Sequence, residues 1–178
     1  AVRTFEREGW NRVAGAYEAA FATATRQFIP ALLNRVGPGA TLLDIACGPG
    51  FVTQAAADIG ATAIGLDFSS AMLAVARARH PGRRFDPGDA EALPYPECAF
   101  SHVVSNFGIH HVPRPALAIR EAPRVLLPGG RCPFSSRAPQ AEHHAWTFLF
   151  RALFARWEPH ASTAPPPPPG SAPPPRGA

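Results

Sequence analysis

The sequence contains no lysine. All 17 basic side chains are arginines, and they are scattered along the chain rather than gathered into a run. A nucleic-acid face would concentrate positive charge. The net charge of +4 therefore reads as a solvated surface of an Arg- and Ala-rich composition, and no nucleic-acid partner is expected. No run of 18 or more apolar residues exists, so no membrane-spanning helix is expected. The three cysteines, Cys47, Cys98 and Cys132, make neither a metal-type pair nor a disulfide scaffold, which points to a reducing cytoplasm. Neither histidine pair, His110–His111 or His143–His144, stands with carboxylates at metal-ligand spacing, so no metal is expected. The start, Ala1 to Glu8, is charged and polar, unlike a secretory signal. It lacks an initiator Met, as a processed chain or a fragment does.

Proline is in excess, with 22 residues, and unevenly placed. From Pro159 onward roughly every second residue is proline, a composition of polyproline II or disorder. The 178 residues otherwise suit one core. The organisation read from the chain is helices flanking a site over 1–36, an α/β core over 37–137, an amphipathic helix over 138–158 and a Pro-rich tail over 159–178.

Residues 5 to 36 read as helical. Trp10, Val13, Tyr17, Phe21, Ala24 and Phe28 recur at steps of three and four, a helix's apolar face. Pro30 starts a second short helix. Thr41 to Ala46 is an apolar run entering the turn Cys47-Gly48-Pro49-Gly50, followed by a helix to Ile59. Thr62 to Asp67 reads as a second strand, and Ser69 or Ser70 caps a helix over 71–79. Weak strand material at Arg84-Phe85-Asp86, a strand over 99–106, a helix over 115–125 and a fifth strand near 131–136 follow. Pro128-Gly129-Gly130 reads as the turn into that last strand. Pro123 should kink the helix before it, and Pro133 should fray it, since each removes a backbone donor. Strands and helices alternating in this way predict a mostly parallel sheet with helices on both faces, whose ligands bind beyond the carboxyl ends of the strands.

The residues just after the strands are therefore the informative ones. Gly48 and Gly50 allow a tight turn and close approach of a ligand to the main chain. Asp67 stands 17 residues after Gly50, at the end of strand two, where a carboxylate can accept two ribose hydroxyls. Two ligands use such an arrangement. A dinucleotide needs a third glycine, where this chain has Thr53, and its diphosphate is poorly matched to the nearby Asp44. S-adenosylmethionine carries an ammonium and a sulfonium, and its cationic end suits Asp44.

Leu42 to Gly50 resembles the first motif of class I S-adenosylmethionine-dependent methyltransferases. The segments Gly65 to Leu73, Gly88 to Pro96, Asn106 to Val112 and Arg124 to Arg131 resemble the motifs that follow, in order, over roughly residues 8 to 137. Their spacing is similar to the branch that includes ubiquinone/menaquinone-biosynthesis methyltransferases. The resemblance implies a Rossmann-like methyltransferase fold. It implies that Ala46, Gly48 and Gly50 touch the methionine part of the cofactor and that Asp67 holds the ribose. Phe68 and Met72 would lie beside the adenine, Asp89 and Ala90 would bind its amine and ring edge, and Asn106 and Phe107 would lie near the sulfonium. Tyr17 either packs in the core or closes over the cofactor's carboxylate.

In-line methyl transfer needs positioning and exclusion of water more than a catalytic triad, and none is visible. A base helps only where the acceptor must lose a proton. His110 and His111, after strand four, are candidates for that base, or else pack structurally. The partner is then a small-molecule methyl acceptor. Departures from the resembled pattern are Ala46 in place of a common glycine and His102 in place of an acid. The family's last strands are missing, as in a C-terminally truncated chain. Two other readings stay open: a remnant that binds S-adenosylmethionine without turnover, and an NAD(P)-dependent oxidoreductase. A nucleic-acid methyltransferase is suggested only by the pI of about 9.6.

Overall fold

The computed structural model describes residues 2–17 and 21–136, all within the first of two units of the chain, Ala1–Arg137. The expected helix over 138–158 and the Pro-rich tail lie outside the described residues, as do His143 and His144.

Six strands form one parallel sheet: β1 (Thr41–Ile45), β2 (Thr62–Asp67), β3 (Arg84–Pro87), β4 (Phe100–Asn106), β5 (Leu126–Arg131) and β6 (Phe134–Ser135). The order across the sheet is β3-β2-β1-β4-β5, with β6 also on β4. The helices are α1 (Val2–Val13), α2 (Thr23–Arg26), α3 (Ile29–Leu32), α4 (Phe51–Asp58), α5 (Ser70–Arg79) and α6 (Pro115–Val125). Connections from β1 run outward to β2 and β3, whereas β4 leads the other way to β5. Right-handed crossovers therefore put α4 and α5 on one face and α6 on the other. The direction reverses between β1 and β4, which is where such folds open a crevice. This is the parallel α/β sheet expected from the alternating pattern, in the Rossmann-like form that the resemblance implies.

β1 is the spine. Leu42, Leu43 and Ile45 are fully buried, as a strand flanked on both edges and covered on both faces must be. Leu42 joins Val52 and Ala56 of α4, Ile29 and Leu32 of α3 and Val104 of β4 in one core cluster. Burying each Leu or Ile side chain contributes about 1.5–3 kcal/mol. The turn after β1 packs against β2 closely enough that Gly65 has no space for a side chain. A Cβ there would stand 2.8 Å from Thr53 Oγ1 and 2.9 Å from Cys47 Sγ.

Two expectations need correction. The stripe from Trp10 to Phe28 does not form a buried face of one helix. α1 ends at Val13, followed by a short 3-10 turn (Ala14–Ala16), and α1 buries no residue. Phe5, Val13, Phe21 and Phe28 are exposed, while Trp10 and Tyr17 are half-buried. Helical spacing alone does not say which face meets the protein, and the inward face of α1 is largely polar. The fifth strand begins at Leu126, not near Arg131. Pro128-Gly129-Gly130 is a bulge inside β5: Phe100 of β4 pairs with Leu126 and His102 pairs with Arg131, and the extra residues between loop out. Pro123 lies exposed in the last turn of α6, which runs to Val125. Pro133 does break the edge: β5 stops at Arg131 and pairing resumes at Phe134.

Candidate functional site

A cleft open to solvent lies beyond the carboxyl ends of β1, β2 and β4. Its floor is the turn after β1. Gly48 has φ of 50°, and a Cβ placed on it would meet nothing within 4 Å. The main chain there faces open space that a ligand can occupy directly. Ala46 and Phe107 close β1 and β4 and are both left-handed, with φ of 55° and 56°. Non-glycine residues held so cluster at functional sites.

Asp67 ends β2 with its side chain buried. Its Oδ2 accepts from the Gly48 amide at 2.8 Å and its Oδ1 from the Ser69 amide at 2.8 Å. The carboxylate thus ties the β2 end to the glycine turn and keeps lone pairs for a ligand. Burial pushes its pKa up to about 6, with the backbone donors opposing. Ser69 caps α5 by accepting from Met72 N at 3.1 Å, which settles the choice between Ser69 and Ser70.

Most of the residues expected at the site line this cleft: Tyr17, Ala46, Gly48, Asp67, Phe68, Met72, Asp89, Ala90, Asn106 and Phe107, with His111 at the rim beside Val112. Three do not. Asp44 lies behind the turn, 1% exposed, where Thr53 donates to its Oδ2 through its amide at 3.1 Å and its hydroxyl at 2.7 Å. Complete burial pushes Asp44 up to about 7, with the Thr53 hydrogen bonds opposing and Asp67 adding to the rise. Asp44 reaches the cleft through its field rather than by contact. Gly50 is a packing glycine: it has φ of 81°, and a Cβ would stand 2.6 Å from the Phe85 ring. His110 lies outside the lining, with its ring 4.1 Å from that of His111.

The sequence reading missed what α1 does. Asn11 Oδ1 accepts from the Ser69 hydroxyl at 2.7 Å and from Ala71 N at 3.2 Å, at the start of α5. Arg3 pairs with Asp89 at 2.7 Å and with the buried Glu91 at 2.6 Å. Glu6 lies 3.4 Å from His111 Nδ1, and the Trp10 ring meets that imidazole edge-on at 4.6 Å. One helix thus grips the loops after β2, β3 and β4 by polar groups. No local pattern encodes partners up to 105 residues apart.

Among the described residues two carboxylates, Asp67 and Asp89, line the cleft and no arginine does. With Asp89 paired to Arg3, Asp67 is the carboxylate that favours a cationic group over a diphosphate here. Thr53 occupies the place of the third dinucleotide glycine and is fully buried against Asp44. The donor set fits a sulfonium nucleoside, and the glycine that a dinucleotide turn needs is replaced by Thr53. Among the described residues there is no group of three or more His, Cys, Asp or Glu able to hold a metal, and no helix is long and apolar enough to cross a membrane.

Fold and cleft together define a Rossmann-like protein with a nucleoside-type site at the switch point. The chain belongs to the methyltransferase domain family, which matches residues 43–134, just over half of its length. It is 39% identical to a demethylmenaquinone methyltransferase of Renibacterium salmoninarum over 60% of this chain and 46% of that one. It is 31% identical to a malonyl-[acyl-carrier protein] O-methyltransferase of Erwinia billingiae over 90% of this chain and 56% of that one. Among solved structures it resembles an S-adenosylmethionine-dependent methyltransferase from Mesorhizobium loti: TM-score 0.58, 34% identity, 65% of this chain and 55% of that one. The chain spans about half the length of the curated relatives it matches. S-adenosylmethionine is the cofactor of this family in general.

Proposed function

We propose that this chain is an S-adenosylmethionine-dependent methyltransferase acting on a small-molecule acceptor. The observation that carries this reading is the cleft wall: open glycine main chain at Gly48 beside the carboxylates of Asp67 and Asp89, with no arginine among the described lining residues. Asp67 is the ribose ligand, and Asp89 with the Ala90 amide meets the adenine between Phe68 and Met72. Ala46 and Gly48 face the methionine part, with Asp44 behind them. Asn106 and Phe107 stand nearest the sulfonium, and Tyr17 closes over the carboxylate end. Bound there, the cofactor supplies an electrophilic methyl group. The protein's residues fix the line of approach and exclude water, which accounts for the absence of a triad among the lining residues. The three free thiols support a cytoplasmic setting. The domain division expected from the sequence, with 1–36 flanking a core over 37–137, is part of this proposal.

The test is calorimetry of the purified chain with S-adenosylmethionine, its demethylated product and NAD. Micromolar affinity for the first two, about −8 kcal/mol, and none for NAD is expected. Failure to bind either sulfur nucleoside overturns the reading. Binding without methyl transfer is the alternative, and it would show the same affinity and no turnover with any acceptor.

A further inference from the structure

His111 stands at the rim of the cleft in the 3-10 turn Ile109–His111, which follows β4. Its amide donates to the Gly108 carbonyl at 3.0 Å, so the backbone beneath the ring is fixed. Two side chains of α1 fix the ring itself. Trp10 meets it edge-on with centroids 4.6 Å apart and an interplanar angle of 80°, and Trp10 also lines the cleft. Glu6 Oε2 lies 3.4 Å from Nδ1, an ion-pair separation that a small tightening turns into a hydrogen bond. Both side chains of the pair are about one-quarter exposed. A carboxylate at Nδ1 favours the tautomer with its proton there and makes Nε2 the basic nitrogen. Among the described residues, the other titratable groups near the ring are His110, ring to ring at 4.1 Å, and Tyr17, Asp67 and Asp89 on the same cleft lining.

We propose that Glu6 and His111 form the acid–base pair of the transfer, and that the acceptor is a hydroxylated arene or enol rather than a carboxylate. This rests on the reading of the cleft as a sulfonium-cofactor site. The methyl–sulfur bond breaks with its electron pair left on sulfur, a bond forms between the methyl carbon and the acceptor oxygen, and the hydroxyl proton passes to the imidazole. The resulting imidazolium is stabilised by Glu6. His111 is the catalytic residue and Glu6 a positioning residue. A carboxylate acceptor, already ionised at neutral pH, would leave the pair without a task.

The test has two arms. In the ligand-free chain, the imidazole signals of His111 are followed by NMR against pH, assigned by their loss in His111→Gln. Glu6→Gln should weaken proton affinity at His111 roughly two- to fivefold, as for a partly exposed ion pair, and Glu6→Asp should restore part of it. An unmoved midpoint overturns the pair, whatever the cofactor. In the second arm the loaded chain is offered 1-naphthol, 1-naphthoate and 4-nitro-1-naphthol, the last ionised at assay pH. His111→Gln should cut turnover of 1-naphthol by about 100-fold or more and leave that of 4-nitro-1-naphthol nearly unchanged, a split that mere loss of packing cannot produce. Methylation of 1-naphthoate alone, an equal loss with both naphthols, or no turnover with persisting cofactor binding overturns the acceptor class and leaves the cofactor reading standing. Loss of binding in the parent chain overturns the cofactor reading instead.

Discussion

Asp67 and Gly48, 19 residues apart, are joined by a hydrogen bond of 2.8 Å from the Gly48 amide to Oδ2. The carboxylate proposed to hold the ribose is thus also the strut that shapes the floor beneath the cofactor. Asp67→Ala should weaken S-adenosylmethionine binding by about 1.5–3 kcal/mol, the worth of hydrogen bonds to a charged group. It should also lower the melting temperature of the ligand-free chain, because the Gly48 and Ser69 amides lose their acceptor. Calorimetry and thermal melting of the same preparation separate the two effects. Unchanged affinity would place the ribose elsewhere.

The raised pKa values of Asp44 and Asp67, about 7 and about 6, link binding to pH. A cationic ligand favours the ionised carboxylates, so binding expels protons. Affinity should rise between about pH 5.5 and 7.5. Titrations in two buffers of different ionisation heat would show the released protons, and a pH-independent affinity would contradict the link.

The same shifts act on folding with the opposite sign. Both groups bind protons more tightly folded than unfolded. Their contribution to stability is complete below the ordinary carboxylate value and is lost as pH rises through about 6 to 7. The ligand-free chain should be less stable at pH 8 than at pH 4.5 by a few kcal/mol in denaturant titrations.

Thr53 supplies two donors to a fully buried carboxylate. Thr53→Val keeps the volume and deletes the 2.7 Å hydroxyl contact, at a cost of about 1–3 kcal/mol. Thr53→Gly completes the three-glycine dinucleotide pattern, yet it should confer no NAD binding, because the carboxylate-lined wall remains. NAD binding by that variant would show that the third glycine, not the charge of the wall, sets the choice of ligand.

Ala46→Gly should stabilise the chain. Ala46 holds φ of 55°, a conformation that costs a non-glycine residue roughly 1–2 kcal/mol. A higher melting temperature is the expected result, and a lower one would mean that the Cβ contributes more by packing than it costs in strain.

The strand ends were readable because their chemistry is local. An apolar run, a glycine turn and an acid at a fixed distance state where β1 and β2 stop and what faces the cleft. Pro128-Gly129-Gly130 misled because the same residues serve a turn and a bulge, and only the pairing of His102 with Arg131 distinguishes them. Asp44 misled because proximity in sequence to a glycine turn does not tell whether a side chain points in front of it or behind it. Glu6, Arg3 and Asn11 were invisible because each acts on a residue far along the chain. The apolar periodicity of the N-terminal segment picked out Trp10 and Tyr17, which reach the cleft, together with Val13, Phe21 and Phe28, which are exposed.

A helix that buries none of its own residues and is fastened by ion pairs and one carboxamide behaves as a latch rather than a wall. Its grip on the three loops weakens as ionic strength rises, while the apolar spine around β1 is indifferent to salt. Sodium chloride should therefore quicken the exchange of bound nucleoside well before it unfolds anything, making the residence time of the ligand a property of the medium as much as of the cleft.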